Sequence, residues 1–343
     1  MREFDRELFE QGCDISGVER KNAWFVGAET KYWLQDDSFL YKLDDEDCFG
    51  FGELAMSHFS KILGFDCVNA YPAVDSTEND SGVIIESFLD DETTVSRPLY
   101  DILDNAGVER DYYPDSVIKY CTPYDVLNAE DVMKEYEGMC FEDDIEYKLK
   151  QIAIVDFMFC QYDRHANNIE FVLRRDPKTG QNVWCLAPLF DNGRMLGIGR
   201  ERKYESVHEL AKELLPKFCM YDKSQEDQYL PVTIISKSIA KEIAKDPRLK
   251  QFYNGFLKLD IKSHLEYISE AGGYDFSPKK IEYMARVFTI RKKLVEKQLL
   301  QLQTNSKYQN KQVFAKTKVT APLEEDKIKM PFIENNMFDG AQL

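Results

Sequence analysis

The chain is 343 residues long with a formal net charge of −17, and 43% of it is hydrophobic, enough apolar material for one two-lobed enzyme unit or two modest domains. Such acidity argues against a general nucleic-acid surface and against docking to anionic lipid, since both need a basic patch, so neither nucleic acid nor membrane is expected as a partner. Eight scattered cysteines with no C-x-x-C pair argue against a disulfide scaffold or zinc site, and the absence of an apolar run near the roughly 20 residues of a bilayer helix, or of a signal-like N-terminus, makes the cytoplasm the default location.

In chain order, residues 23–26 read as a strand, 27–31 as a tight turn and 32–34 as the return strand. Gly27 permits close backbone approach, and amides in such a turn can face phosphate oxygens, although the same pattern fits an ordinary hairpin. Residues 39–43 alternate as a strand, with Lys42 on the face opposite Phe39, Tyr41 and Leu43, the usual pattern of a solvated edge. Glu53 opens an amphipathic stretch of Leu54, His58, Phe59 and Ile62 that Gly64 can end, which puts this carboxylate in a first helical turn. Residues 83–88 form a largely buried strand leading into the acidic residues 90–92. From 101 to 146 the chain mixes prolines, acidic residues and short apolar groups, read as helices and loops.

The second half begins with a nearly all-apolar helix over 149–159. Asp163-Arg164-His165-Ala166-Asn167-Asn168 follows, then a strand at 169–173, a turn at 176–180 and a return at 182–190 that ends in Asp191-Asn192-Gly193. Helices are expected at 207–215, 232–243, 249–259 and 261–271. A last helix begins with Ser277 as cap and Pro278 at its first position. After Gln301 the chain becomes polar and patternless, which predicts a tail that is mobile or wraps a lobe.

Asp163 and Asn168 lie five positions apart, the separation of base and metal-binding amide in a protein-kinase catalytic loop. On one continuous helix they would point about 140° apart, so the segment has to be a loop. The hairpin brings Asp191 back beside Asn168. Two carboxylates and an amide meeting in this way suit phosphoryl transfer: one carboxylate takes the acceptor's proton, and the other joins the amide oxygen as a hard ligand for Mg²⁺. Each motif alone reads as a surface turn, Asp163 with His165 in the first and Asp191-Asn192-Gly193 in the second. Both together, in this order, favour an ATP-dependent phosphotransferase. Arg164 is expected to steady the loop by pairing with a nearby carboxylate, and Asn192 either supports metal binding or makes the turn.

On Asp163, His165, Asn168 and the segment from Leu186 to Asp191, the chain resembles the HipA-like serine/threonine kinases, particularly the short CtkA-type forms. Their D-R-H-x-x-N order is shared with the phosphoinositide kinases. The resemblance spans roughly 22 to 302 and is strongest from 149 to 193. It implies an α+β, bilobal protein-kinase-like fold: an N-terminal extension at 1–21, a small β-rich nucleotide-binding N-lobe at 22–88, a larger helical catalytic C-lobe at 89–302 and a tail at 303–343.

The resemblance also implies ATP and Mg as cofactors and a protein substrate with a serine or threonine hydroxyl, with an antitoxin-like protein as a further partner. It implies Asp163 and His165 in catalysis and Asn168 and Asp191 on metal. The nucleotide would be held by Gly27, Ala28, Thr30 and Lys31 of a G-A-x-x-K-type turn, by Lys42 on phosphate, and by backbone groups of Glu86, Ser87 and Phe88 on adenine. Thr30 is a candidate for self-phosphorylation. Glu53 either holds Lys42 or simply favours the positive end of its helix. A lipid or small-molecule kinase and a nucleotide-binding pseudokinase are the alternatives.

Overall fold

The computed structural model describes residues 3–22, 30–34, 37–44, 48–89, 95–99, 101, 140–161, 164, 168–198 and 232–319, with backbone alone at 22, 232–234 and 306–319. The expected strand at 23–26, the residues Gly27, Ala28, Asp163 and His165, and the expected helix at 207–215 lie outside them. The chain divides into two compact units, Met1–Leu300 and Gln301–Leu343.

The first unit is a mixed α/β structure. A short helix α1 (Arg6–Gln11) and strands β1 (Cys13–Asp14), β2 (Arg20–Asn22), β3 (Lys31–Leu34) and β4 (Phe39–Leu43) precede helix α2 (Phe49–Leu63); strands β5 (Ala70–Asp75) and β6 (Asp80–Glu86) follow it. The six strands form one sheet in the order β1-β5-β6-β4-β3-β2, with β1 parallel to β5 and the other pairs antiparallel. The expected boundary at 22 therefore falls at the end of β2, and residues 13, 14, 20 and 21 already belong to the sheet. Pro72 lies inside β5 without breaking the sheet, because β1 pairs only with Ala73 and Val74 beyond it.

Helix α2 begins at Phe49, four residues before Glu53, so Glu53 sits in the second turn and not the first. Its N-cap Cys48 makes no side-chain cap bond. Instead the Asp44 carboxylate, arriving from the end of β4, accepts from the Gly50 amide at 2.7 Å. Gly64, at φ 76°, ends the helix in the left-handed conformation, as the sequence indicates.

A second, three-stranded sheet joins β7 (Ser96–Pro98), β8 (Glu170–Arg175) and β9 (Asn182–Leu186), with helix α3 (Ile145–Met158) between β7 and β8 in the chain. Helices α4 (Val232–Lys245), α5 (Pro247–Lys258), α6 (Ile261–Ala271) and α7 (Pro278–Val319) complete the described residues. Ser277 caps α7, as expected, its hydroxyl accepting from the Lys280 amide at 3.3 Å. Contrary to the expectation of a patternless tail, α7 continues past Gln301 to Val319. Polar residues of good helix propensity carry a helix without an apolar stripe. No helix among the described residues is long and apolar enough to cross a membrane.

The core that fixes the site is aromatic. The Phe159 ring lies 4.7 Å from Phe59 of α2, 5.6 Å from Phe256 of α5 and 5.7 Å from Phe288 of α7, and all four side chains are buried. Such pairs contribute about 0.5–1.5 kcal/mol each beyond their burial. They bind α2 to the end of α3, from which the chain leads on to Arg164 and Asn168.

A second aromatic group seats α1 on α2 and α6, and contains His58. Its Nε2 lies 3.2 Å from His264 Nδ1, and its ring is 5.8 Å from Phe9 and 5.2 Å from Tyr267, with Arg6 and Glu10 at the rim. Burial first, then the His264 and Arg6 charges, push His58 down to about 4 from an ordinary 6.5. A histidine kept neutral by the fold contributes stability above its unfolded value, and that contribution is lost as pH falls toward the folded value. Chemical denaturation at successive pH values should show stability declining from pH 6.5 toward about 4, with a shallower decline in His58→Phe. An identical decline in that variant would assign the effect to other groups.

Candidate functional site

Helix α3 ends at Met158, before the Asp163–Asn168 segment begins. Cys160 takes φ 53°, its amide bonds to the Phe157 carbonyl at 3.2 Å, and the Gln161 amide reaches back to the Asp156 carbonyl at 2.9 Å. This is a left-handed C-terminal cap made without glycine. It turns the chain sharply at the point where Gln161 and Arg164 leave for the interior.

Arg164 is 2% exposed and its counter-ion Asp156 is fully buried. Nε lies 3.1 Å from Asp156 Oδ2, Nη1 donates to the Asn168 carbonyl at 3.2 Å and to the Phe190 carbonyl at 2.5 Å, and Nη2 donates to Asn192 Oδ1 at 2.6 Å. Burial pushes the Asp156 carboxyl up, opposed by the guanidinium, while the same carboxylate holds Arg164 charged against its own desolvation. Arg164 thus pairs with a carboxylate, as expected, and also fastens the loop to the segment that ends in Asp191. The sequence signal for this pair is Asp156 itself, a lone carboxylate in an otherwise apolar helix that requires a partner.

Asp191 stands at the end of the run that follows β9. Its φ of 55° is unusual for a residue with a side chain, and its carbonyl accepts from Gln161 Nε2 at 3.2 Å. The carboxylate is met from two sides. Asn168 Nδ2 donates to Oδ2 at 3.0 Å, while Lys42 Nζ lies 2.7 Å and Lys31 Nζ 3.7 Å from Oδ1. Burial pushes the Asp191 carboxyl up, but the Lys42 and Lys31 charges, the Lys42 hydrogen bond and Arg164 outweigh it and hold the group below the usual carboxylate range. It is ionised at neutral pH.

The two lysines reach this point together because β3 and β4 place Lys31 directly opposite Lys42 in register, and cross-strand partners share a face of the sheet. Lys42 is not on a solvated edge: it is 5% exposed, on a strand with neighbours on both sides. Behind it, Glu53 Oε1 forms an ion pair with its ammonium, and Glu53 Oε2 accepts from Asn192 Nδ2 at 3.3 Å. Of the two readings of Glu53, pairing with the lysine is therefore the one the fold adopts.

Glu86, Ser87 and Phe88 lie where β6 ends. The Glu86 carboxylate is turned inward and accepts from Asn69 Nδ2 at 2.9 Å. The amides of Glu86 and Ser87 bond to the carbonyls of Asn69 at 2.9 Å and Ser38 at 2.8 Å. The Phe88 ring, half-buried, sits 5.2 Å from that of Phe190, next to Asp191. Thr30 is exposed, and its carbonyl accepts from the Leu43 amide at 3.1 Å. The structure thus brings Lys31, Lys42, Glu53, Asn168 and Asp191 to one point. Sequence reasoning missed the structural part played by Gln161 and left Asn192 between supporting metal and making a turn.

No family model matches the sequence, and no curated protein matches it. Among solved structures, the chain is similar to the Helicobacter pylori proinflammatory kinase CtkA, with a TM-score of 0.53 and 16% identity over 84% of this chain and 98% of that one. It also overlaps HipA of a Shewanella oneidensis toxin–antitoxin system, solved with HipB and operator DNA, with a TM-score of 0.44 and 12% identity over 86% of this chain and 67% of that one. The chain shares its fold with the CtkA kinase.

Breaking the buried pair from one side should unfold the site. Arg164→Met leaves the Asp156 carboxylate buried and uncompensated and is expected to cost about 3–5 kcal/mol in urea denaturation, whereas adding Asp156→Leu should recover a substantial part of that loss. Equal losses in the single and double variants would contradict the pairing as the source.

Proposed function

We propose that this chain is an ATP- and Mg²⁺-dependent phosphotransferase, a HipA-like kinase acting on serine or threonine hydroxyls of a protein. The observation that carries the reading is the convergence of Lys42, Lys31 and Asn168 on the ionised Asp191 carboxylate, with Glu53 behind Lys42. Asp191 and Asn168 offer the hard oxygen donors Mg²⁺ prefers, and the two ammoniums are point charges suited to phosphate oxygens. In this reading Asp191 and Asn168 hold metal, while Lys42 and Lys31 take the phosphates. Bound there, Mg²⁺ would supply neutralisation of charge on the transferring phosphoryl group.

Asp163 is the proposed base and His165 its neighbour in the loop; both roles rest on motif spacing and on the resemblance. Gly27, Ala28 and Thr30 are proposed to line the phosphates by the same resemblance. The Phe88 and Phe190 rings, 5.2 Å apart beside Asp191, offer apolar surface for adenine. With the Glu86 and Ser87 amides already bonded within the sheet region, the proposed adenine contacts fall to the Phe88 amide and to carbonyl oxygens at this strand end. The division into a nucleotide-binding part up to about residue 88 and a catalytic part beyond it belongs to the same proposal. So do a cytoplasmic site of action and an antitoxin-like partner.

Labelled ATP with Mg²⁺ and separate protein, lipid and sugar acceptors tests the reading. Label should appear on a protein serine or threonine, and Lys42→Met, Asp191→Asn and Asp163→Ala should each reduce transfer about 10²-fold or more while thermal unfolding shows a folded chain. Label on lipid or sugar alone would replace the protein-kinase reading. Nucleotide binding without transfer to any acceptor would favour a pseudokinase, and undiminished transfer in Asp191→Asn would remove Asp191 from the mechanism.

A further inference from the structure

Asn192 is fully buried, and each polar atom of its carboxamide is used. Oδ1 accepts from Arg164 Nη2 at 2.6 Å, and Nδ2 donates to Glu53 Oε2 at 3.3 Å and to Cys67 Sγ at 3.6 Å. One end of the amide therefore touches the Arg164–Asp156 pair that anchors the loop, and the other touches the Lys42–Glu53 pair that faces Asp191. A turn residue after a buried strand would have no need of this.

The backbone is built to bring the amide there. A Cβ on Gly52 of α2 would lie 2.5 Å from the Gly193 carbonyl oxygen and 2.7 Å from that of Asn192, so only glycine lets the segment lie flat against the helix one residue before Glu53. The Asn192 amide also has the right polarity at each end. Its oxygen meets a guanidinium, which can only donate, and its NH₂ meets a carboxylate, which can only accept. Neither Asp nor a hydrocarbon side chain of similar size satisfies both ends.

We propose that Asn192 is a positioning residue: it ties Glu53 to the Arg164–Asp156 pair and so fixes where Lys42 presents its ammonium beside Asp191. The role rests on the phosphotransferase reading of the site. Glu53 has two oxygens, one for Lys42 and one for Asn192. When the second loses its donor, the carboxylate turns both oxygens toward the Lys42 ammonium, with which it is already paired, and draws that ammonium away from Asp191. Nucleotide phosphates then meet a displaced lysine.

The test is a double-mutant cycle in the full chain: wild type, Asn192→Ala, Glu53→Gln and the double variant. Binding of a fluorescent ATP analogue with Mg²⁺ is measured alongside transfer kinetics. Asn192→Ala should weaken analogue binding and lower kcat, together about tenfold or more, and the double variant should be no worse than Glu53→Gln alone. Additive losses would mean that Asn192 does not act through Glu53, and additivity overturns the proposal; a merely structural role would lower thermal stability without the displaced-lysine loss of analogue binding. Asn192→Asp, which keeps the volume and the Arg164 contact but sets an oxygen against Glu53, should show the same loss, and wild-type kinetics in it would also overturn the proposal. A wild-type chain that neither binds the analogue nor transfers phosphate removes the phosphotransferase reading and this role with it. An active wild type with an additive cycle removes only the role of Asn192.

Discussion

The buried Arg164 guanidinium is the contact on which the rest of the site depends. Its donors reach a carboxylate on α3, a carbonyl at Asn168, a carbonyl at Phe190 and the Asn192 side chain, which belong to three separate stretches of chain. A planar group with five fixed donors can serve several acceptors at once, which a lysine ammonium on a flexible stem cannot do with the same precision of direction. Asp156 makes this burial tolerable. Without a counter-ion the guanidinium would be drawn to water, and the loop would leave with it.

Such a pair is poor evidence for net stability, because the cost of removing two charges from water offsets much of their attraction. What it fixes is arrangement. The same region contains three side-chain-bearing residues in the left-handed conformation, Cys160, Asp191 and Leu196, with φ between 51° and 55°. Each is an unfavourable backbone state that survives only where surrounding contacts over-determine it. Here the Gln161 and Arg164 side chains hold the carbonyls of Asp191 and Phe190, the Leu196 amide bonds to the Phe159 carbonyl at 2.7 Å, and Phe159 is locked in the aromatic core. The strain and the rigidity that sustains it lie beside the carboxylate proposed to bind metal.

What the sequence made legible follows from the range over which each signal acts. The apolar helix at 149–159 and the hairpin after it are local patterns, and they suffice to bring Asn168 and Asp191 together. The start of α2 was hidden because Gly50 and Gly52 look like breaks, while the group that caps the helix, Asp44, arrives from outside it. Strand β5 was hidden by Pro72, whose position is tolerable only because β1 is short. The partners of Arg164 and Asn192 are tertiary facts. Asp156 signalled that a buried cation must exist without saying which, and nothing local distinguishes an Asn that makes a turn from one that spans two ion pairs.

The local charge balance bears on how an acidic chain could hold an anionic nucleotide. At a net charge of −17 the long-range field opposes a triphosphate, so any attraction must come from close by. At physiological ionic strength the screening length is about 8 Å, which confines the field of distant carboxylates and leaves nearby groups dominant. Among the described residues, Lys31 and Lys42 face Asp191, Arg164 adds its charge, and Glu53 lies behind Lys42. On the phosphotransferase reading, Asp191 would hold the cation of a metal–nucleotide complex, and the Lys31 and Lys42 ammoniums that now face it would be available to the phosphates. Lys31, Lys42 and Asp191 would thus exchange one set of partners for another, with Glu53 keeping Lys42 in place. A site already ordered by its own ion pairs needs little reorganisation when those pairs change hands, the condition under which electrostatic stabilisation of a transferring phosphoryl group is most effective.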